Sequence, residues 1–332
     1  MDFSIYIPNS QYRYYYEQFD RRKQIAYVDL LDGYLNQLSS IFIKVDSMDE
    51  VWDIHRAVCN DVPEVFYIKN VRATFNPIFR TAIVYPEYRF DEKTRNNILL
   101  QMEQASQMFV ARIGMLSESE KVKQIHDYLV RSVTYKDLDA PYSHEAPGAL
   151  LYGIGVCEGI SKAFKYLSDR VHVASLVVIG NSGNEANISS ASGHAWNIVY
   201  VEGCPYHLDV TFDYSVSKDR VVRYDYYLLS DSQIQVDHTY TNLPACNDST
   251  EYYINVGCFA DSKRELQKLV TRELGVGSPL VFKMPFLSGD KNEIVDVILN
   301  LVVEAIPLTY AVGHNISISY NLPRMIFQVQ LI

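Results

Sequence analysis

A chain of 332 residues with 48% hydrophobic content can bury a sizeable core and is long enough for two or three domains. Its formal net charge of −10, without any dense run of lysine and arginine, excludes a nucleic-acid backbone or an anionic membrane surface as the main partner. No apolar run reaches the length of a membrane span.

The first thirty residues carry Tyr12, Arg13, Tyr14, Tyr15 and Tyr16, then Arg21, Arg22 and Lys23, so they lack the apolar centre of a secretory leader. Tyr12 to Tyr16 read as an exposed contact patch. The five cysteines, Cys59, Cys157, Cys204, Cys246 and Cys258, are odd in number, widely spaced and without a Cys-x-x-Cys pair. That usage suits a reducing compartment and no structural zinc. A cytoplasmic location follows, unless a leader was removed ahead of residue 1.

Residues 1–115 read as a leading α+β domain. The runs Ile41 to Val45 and Arg80 to Tyr85 are expected strands, while Met48 to Cys59 and Asp91 to Ile113 carry apolar residues at helical spacing. Asp46 or Ser47 can cap the first helix and Asp91 the second. The phrase Asp61 to Tyr67 joins a helix to a strand through Pro63.

Residues 116–245 hold the chemistry. Ser117 and Glu120 open a helix whose buried stripe is Val122, Ile125, His126, Leu129 and Val133, with His126 a packed residue of that stripe. A polar loop, Lys136 to Pro147, leads to Gly153-Ile-Gly155-Val-Cys157-Glu-Gly159. The two glycines break any earlier helix, and Ile160, Ala163, Phe164 and Leu167 define the next, so Cys157 falls in a helical first turn. There the unpaired N–H groups and the macrodipole favour a thiolate. The small residues Gly155 and Gly159 leave room for a substrate backbone.

Leu176 to Ile179 and Ala195 to Val201 are expected strands, separated by a small-residue loop, Gly180 to Ser192, that could be mobile. Glu202-Gly203 reads as a hairpin turn with Tyr206 to Thr211 returning. A loop of two or four residues pairs position 201 with 204 or 200 with 205, and either sets His194 opposite Thr211. Asp209 is then a diagonal neighbour of His194, about 7–8 Å away by backbone. Cysteine, histidine and aspartate in that order are a nucleophile, its base, and the carboxylate that orients the base.

The segments Glu120 to Val130, Gly155 to Gly159, Gly193-His194-Ala-Trp196-Asn and Tyr206-His-Leu-Asp209-Val-Thr-Phe-Asp213 resemble the transglutaminase-like superfamily in its microbial branch, whose core is papain-like. Tyr226-Tyr-Leu-Leu-Ser-Asp231 and Asp237-His238 look like the family's exit from that core, so the resemblance covers about residues 116–240. It implies Cys157 as nucleophile, His194 as base and Asp209 as orienting acid. Two positions depart from the pattern: Cys204-Pro205 stands where many members carry tryptophan, and Leu151 stands where a side-chain oxyanion donor would. Oxyanion stabilisation then falls to the Cys157 N–H and Tyr152, with Gly155 and Trp196 on the substrate side, although Trp196 reads first as a structural wall.

Residues 246–332 read as a small α+β domain: a strand Tyr252 to Phe259, a helix Ser262 to Leu274, a strand Leu280 to Phe286, a helix Asn292 to Ile306, then strands Ile316 to Tyr320 and Met325 to Leu331. Ser262 with Glu265 forms a capping box, and Gly275 stops that helix. The flanking domains are assigned substrate presentation, partner contact or self-association.

The expected fold is thus α+β, a papain-like and transglutaminase-like cysteine-enzyme core with flanking α+β domains. The expected activity is acyl transfer on a peptide or protein amide, and the sequence does not separate transamidation from hydrolysis. No Asp-x-Asp-x-Asp-Gly loop is present, so neither metal nor other cofactor is expected. The alternatives are an inactive module of this fold that binds peptide or glycan, a structural module, and a metal site in which His207 joins Cys157, His194 and Asp209.

Overall fold

In the computed structural model, which describes residues 11–138, 142–183, 192–217, 221–275, 278–287, 289–306 and 315–332, Tyr14–Glu17 (α1) and Arg21–Leu35 (α2) precede a three-stranded antiparallel sheet. Its strands are Ile41–Lys44 (β1), Ile68–Asn76 (β2) and Thr81–Tyr88 (β3), in the order β1-β3-β2. Met48–Asp61 (α3) lies between β1 and β2, and Glu92–Ile113 (α4) follows β3. Ser47 caps α3 by accepting from the Glu50 N–H, and Asp91 caps α4 by accepting from Thr94. The chain leaves α3 through a 3-10 turn, Pro63–Val65, and enters β2, as the Asp61 to Tyr67 phrase predicts.

Glu118–Ser132 (α5) starts on the capping box of Ser117 and Glu120. Thr134–Tyr135 (β4) pairs in parallel with Ile154–Gly155 (β5), and Ala146–Leu151 (α6) lies between them in the chain. Cys157–Arg170 (α7) is the central helix. Its Ile160, Ala163, Phe164 and Leu167 are buried in one cluster with Val122, Ile125 and Leu129 of α5 and Ile98, Leu99 and Met102 of α4. The leading segment therefore packs into the middle one along α4.

Against α7 packs a four-stranded antiparallel sheet in the order β8-β7-β6-β9. Its strands are Ser175–Ser182 (β6), Ser192–Val201 (β7), Cys204–Leu208 (β8) and His238–Thr239 (β9), and the short helices Val210–Val216 (α8) and Asp231–Ile234 (α9) fall between β8 and β9. The β7–β8 turn is the shorter of the two expected loops, with two residues. Glu202 and Gly203 both take positive φ, 53° and 81°, and Val201 pairs with Cys204, as a turn matched to strand twist requires.

The last part runs Tyr252–Asn255 (α10), Lys263–Glu273 (α11), Leu280–Lys283 (β10), Lys291–Ala305 (α12), Ile316–Asn321 (β11) and Ile326–Leu331 (β12). Its sheet, β10-β12-β11, shares an apolar cluster with α11 and α12. Among the described residues no helix is long and apolar enough to cross a membrane.

Several sequence expectations need correction. No expectation covers α2, and β2 is expected only through the Asp61 to Tyr67 junction, without bounds. β6 runs to Ser182, into the expected small-residue loop, and residues 184–191 of that loop lie outside the described residues. Tyr252 begins a helical turn instead of a strand. The returning hairpin strand stops at Leu208, because Asp209 caps α8 and draws Val210, Thr211 and Phe212 into a helix despite their strand propensity. The tyrosines of the leading segment are no exposed patch: Tyr14 is buried beside Leu176, Val178 and Trp196, and the Tyr15 hydroxyl donates to the Val177 carbonyl at 2.7 Å.

The glycines around Cys157 are there for the chain itself. A Cβ at Gly159 would meet the Ser143 carbonyl oxygen at 2.4 Å, and one at Gly155 would lie 3.3 Å from Ile160. Neither position opens space for a substrate backbone. Gly159→Ala should therefore destabilise the protein by about 1–3 kcal/mol, because the close neighbour at Gly159 is backbone, which cannot turn aside. Thermal unfolding of that variant measures it, and an unchanged midpoint would contradict this packing.

Candidate active site

Cys157 is the first residue of α7, and its cap residue, Val156, offers no side-chain acceptor. The sulfur is only partly buried and takes hydrogen bonds from the backbone N–H groups of Glu158 and Ala195. Burial alone would push the thiol up. The hydrogen bond and charge of His194 outweigh it, and with those two N–H groups they bring Cys157 below its ordinary value.

His194 sits on β7 opposite Gly180 and is 7% exposed. Its Nε2 donates to Asp209 Oδ2 at 2.6 Å, which leaves Nδ1 for the sulfur. The ring is held between Trp196, stacked at 5.9 Å and 20°, and Phe212 at 4.8 Å. Burial works against the imidazolium, but the Asp209 carboxylate and then Cys157 raise His194 to about 10.

Asp209 reaches His194 from the end of β8. It is fully buried and saturated with donors: Oδ1 accepts from the Thr211 and Phe212 N–H groups at 2.9 and 3.0 Å, and Oδ2 accepts from His194 and from His238 Nε2 at 3.0 Å. Burial favours its neutral form, yet the two histidines hold it well below the usual carboxylate range. The expected diagonal contact is made, from a cap position beyond the strand end.

The remaining candidates separate. Tyr152 ends α6 with its ring against Tyr142 at 4.7 Å, and among the described residues no hydrogen bond joins it to Cys157. The tyrosine that does reach the thiol is Tyr135, whose hydroxyl is hydrogen-bonded to both the backbone N–H and the sulfur of Cys157. The parallel pairing of Tyr135 with Gly155 brings it there. Gly155 is buried in β5, and Trp196 is a wall, 1% exposed, whose Nε1 donates to His207 Nδ1 at 3.0 Å. His126 is buried between Asp127 and Asp213, at 3.0 Å from each, which ties α5 to α8.

Among the described residues, His194, Asp209 and His238 form one group able to hold a metal ion, and His207, Asp231 and Cys246 another. In the first, hydrogen bonds already join the three side chains. In the second, His207 is bonded to Trp196 and Asp231. His207 therefore does not join Cys157 in a four-ligand site, and Cys157 belongs to neither group.

A cleft of about 510 Å³ opens beside the residue that follows Cys157. Glu158 and Lys162 of α7 and Ile179 of β6 form one wall, and Trp52 and His55 of α3 with Asn70 of β2 form the other. The leading segment thus shares this cleft with Glu158, the neighbour of Cys157 in the chain.

A half-buried thiol at a helix start, hydrogen-bonded to a histidine that a buried aspartate holds, on an α+β scaffold, defines the class of thiol-centred papain-like folds. Residues 107–209 match the sequence model of the transglutaminase-like superfamily. The middle of the chain is a transglutaminase-like core. Similar solved structures include a candidate cysteine protease from Cytophaga hutchinsonii, at 13% identity and TM-score 0.29 over 43% of this chain and 62% of that one. A TGase matches at 14% and 0.28 over 43% of this chain and 44% of that one. The periplasmic domain of TgpA from Pseudomonas aeruginosa matches at 11% and 0.26 over 52% and 68%. The chain thus spans about three fifths of the first of these and less than half of the second. No curated protein sequence matches it.

Proposed function

We propose that the protein is a cysteine-dependent acyl-transfer enzyme acting on a peptide or protein amide, with Cys157, His194 and Asp209 as its triad. The observation that carries this reading is the continuous hydrogen-bonded line from the Cys157 sulfur through His194 to Asp209 Oδ2. The thiolate attacks the amide carbonyl carbon, and the oxygen of the tetrahedral intermediate takes up negative charge. His194 then gives its Nδ1 proton to the departing nitrogen, the C–N bond breaks, and ammonia or an amine leaves behind a thioester on Cys157. An incoming amine or water attacks that thioester, returning a proton to His194 and releasing the thiolate. Asp209 orients the ring and stabilises its cationic form without itself carrying a proton.

The developing oxyanion falls to the Cys157 N–H and the Tyr135 hydroxyl, which are bonded to each other beside the sulfur. Tyr135 takes the role that the sequence offered to Tyr152. The substrate enters along the cleft between α3 and the start of α7, so the leading segment contributes to specificity.

Intact-mass spectrometry tests the reading. The protein is incubated with glutamine-, asparagine- and lysine-containing peptides at mildly acidic pH, where thioesters persist, then digested. An acyl adduct on the Cys157 peptide, absent in Cys157→Ser, is the expected result. Adding a primary amine then separates transfer from hydrolysis through the product formed. An adduct on another cysteine, or turnover that survives Cys157→Ser, would exclude this triad.

A further inference from the structure

Asp209 carries a second histidine that the triad does not use. His238 begins β9 and pairs with Ser182 of β6, so its place is fixed by the same sheet that carries His194. Its Nε2 meets Asp209 Oδ2 at 3.0 Å and its Nδ1 meets Asp237 Oδ1 at 2.7 Å. An ionised carboxylate only accepts, and a neutral imidazole donates from one nitrogen alone. A ring bonded at both nitrogens to carboxylates must therefore carry two N–H groups and a positive charge.

The surroundings fit that charge. The ring is buried among His194 at 5.3 Å, Trp196 at 4.9 Å and Phe212 at 4.7 Å, and among the described residues no further carboxylate is bonded to it. Beyond Asp237 the line continues: Asp237 Oδ2 accepts from the Tyr226 hydroxyl at 2.6 Å, and Oδ1 accepts from Arg324 Nη2 at 3.2 Å. Arg324 comes from the turn between β11 and β12, is 8% exposed, and lies over the Tyr226 ring at 4.5 Å. From the sulfur to Arg324 the charges alternate: thiolate, His194 cation, Asp209, His238 cation, Asp237, Arg324 cation.

We propose that His238, supported by Asp237 and Arg324, is a positioning residue for Asp209 that shares its Oδ2 with His194 and makes the C-terminal segment part of the reacting site. The proposal rests on the triad reading given above. Two effects follow from the shared oxygen. Asp209 cannot swing away from His194, because its four bonds approach from different sides. The His238 charge also offsets part of the Asp209 charge, so His194 releases its proton more readily than it would beside an unshared carboxylate. Removing His238 should raise the His194 titration midpoint by about one pH unit or more.

The test is nitrogen NMR of the full chain with 15N-labelled histidine, combined with iodoacetamide labelling of Cys157. In the unaltered protein, which raises no question of misfolding, His238 should show two protonated ring nitrogens at pH 8, well above the ordinary imidazole midpoint of about 6.5. In the near-isosteric Asp237→Asn, His238 should lose that second proton at a lower pH, and Arg324→Lys should restore more of the original behaviour than Arg324→Gln. In His238→Gln, the His194 midpoint should move upward. A His238 ring that is neutral at pH 8 in the unaltered protein overturns the proposal, as does a His194 midpoint indifferent to His238→Gln. The triad reading fails separately, when Cys157 labels no faster than the other cysteines or when His194→Ala leaves its labelling unchanged.

Discussion

Treated with iodoacetamide at pH 6, the native protein should be alkylated at Cys157 ahead of Cys59, Cys204, Cys246 and Cys258. Accessibility alone predicts another order, since Cys204 is the exposed thiol and Cys157 is half-buried. What favours Cys157 is its ionisation. Burial pushes Cys59 and Cys246 each up to about 12 and raises Cys258, whereas His194 and two backbone N–H groups hold Cys157 below its ordinary value. The thiolate is the reacting form, so labelling at pH 6 reads the ion pair with His194. His194→Ala should slow that labelling about tenfold or more, one pKa unit being a factor of ten in thiolate fraction, and move its pH dependence upward. On amide turnover the same variant and Cys157→Ser should each lose a factor of about 10³ or more, since the members of such a triad act as a unit. Peptide mapping of the alkylated protein measures the first effect. Cys204 labelled first at pH 6 would remove the ionisation argument.

Asp209→Asn should damage stability as well as rate. An asparagine keeps one carbonyl oxygen where Asp209 offers two acceptors, and those acceptors now serve Thr211, Phe212, His194 and His238. Its NH2 group would point donors either at two backbone N–H groups or at two imidazole N–H groups. The loss should be about 3–5 kcal/mol, the range for breaking a buried charge pair by removing one partner. The sign with pH follows from the depressed carboxyl of Asp209. Its stabilising contribution is fully present above the unfolded carboxyl value of about 3.9 and is lost as pH falls through the folded value. The gap between variant and parent in denaturant unfolding should therefore be wide at pH 6 and narrow progressively below about pH 4. A constant gap across that range would assign the cost to packing instead of charge.

The helix start at Cys157 was legible because its signals are local: glycines before it, then an apolar stripe at helical spacing after it. The hairpin was legible for the same reason, and its two-residue turn carries Asp209 toward His194. The strand expected through Thr211 failed where a cap competed with propensity, since Val210, Thr211 and Phe212 favour strands until the Asp209 side chain takes up two of their N–H groups. Tyr252 to Asn255 failed likewise, as aromatic and β-branched residues that form a helical turn after Glu251 takes a positive φ of 44°. Tyr135 could not have been found from the sequence, because it reaches Cys157 through a parallel pairing with Gly155 that leaves no local mark. His238 was visible only as part of a motif, and its contact with Asp209 spans 29 positions.

The docking of Tyr14 and Tyr15 on the sheet that carries Trp196 also bears on how the molecule is assembled. Tyr15 meets Val177 across 162 positions, and Arg324 meets Asp237 across 87. Contacts of such separation close large loops, at an entropic cost that must be met before the contact gains anything, and chains rich in them fold slowly. On a ribosome the first of these closures waits for the sheet, and the second for Arg324, 87 positions after Asp237. The thiol is therefore synthesised well before the walls that orient its histidine, and the array from Cys157 to Arg324 is complete only once the turn that carries Arg324 has docked on Asp237.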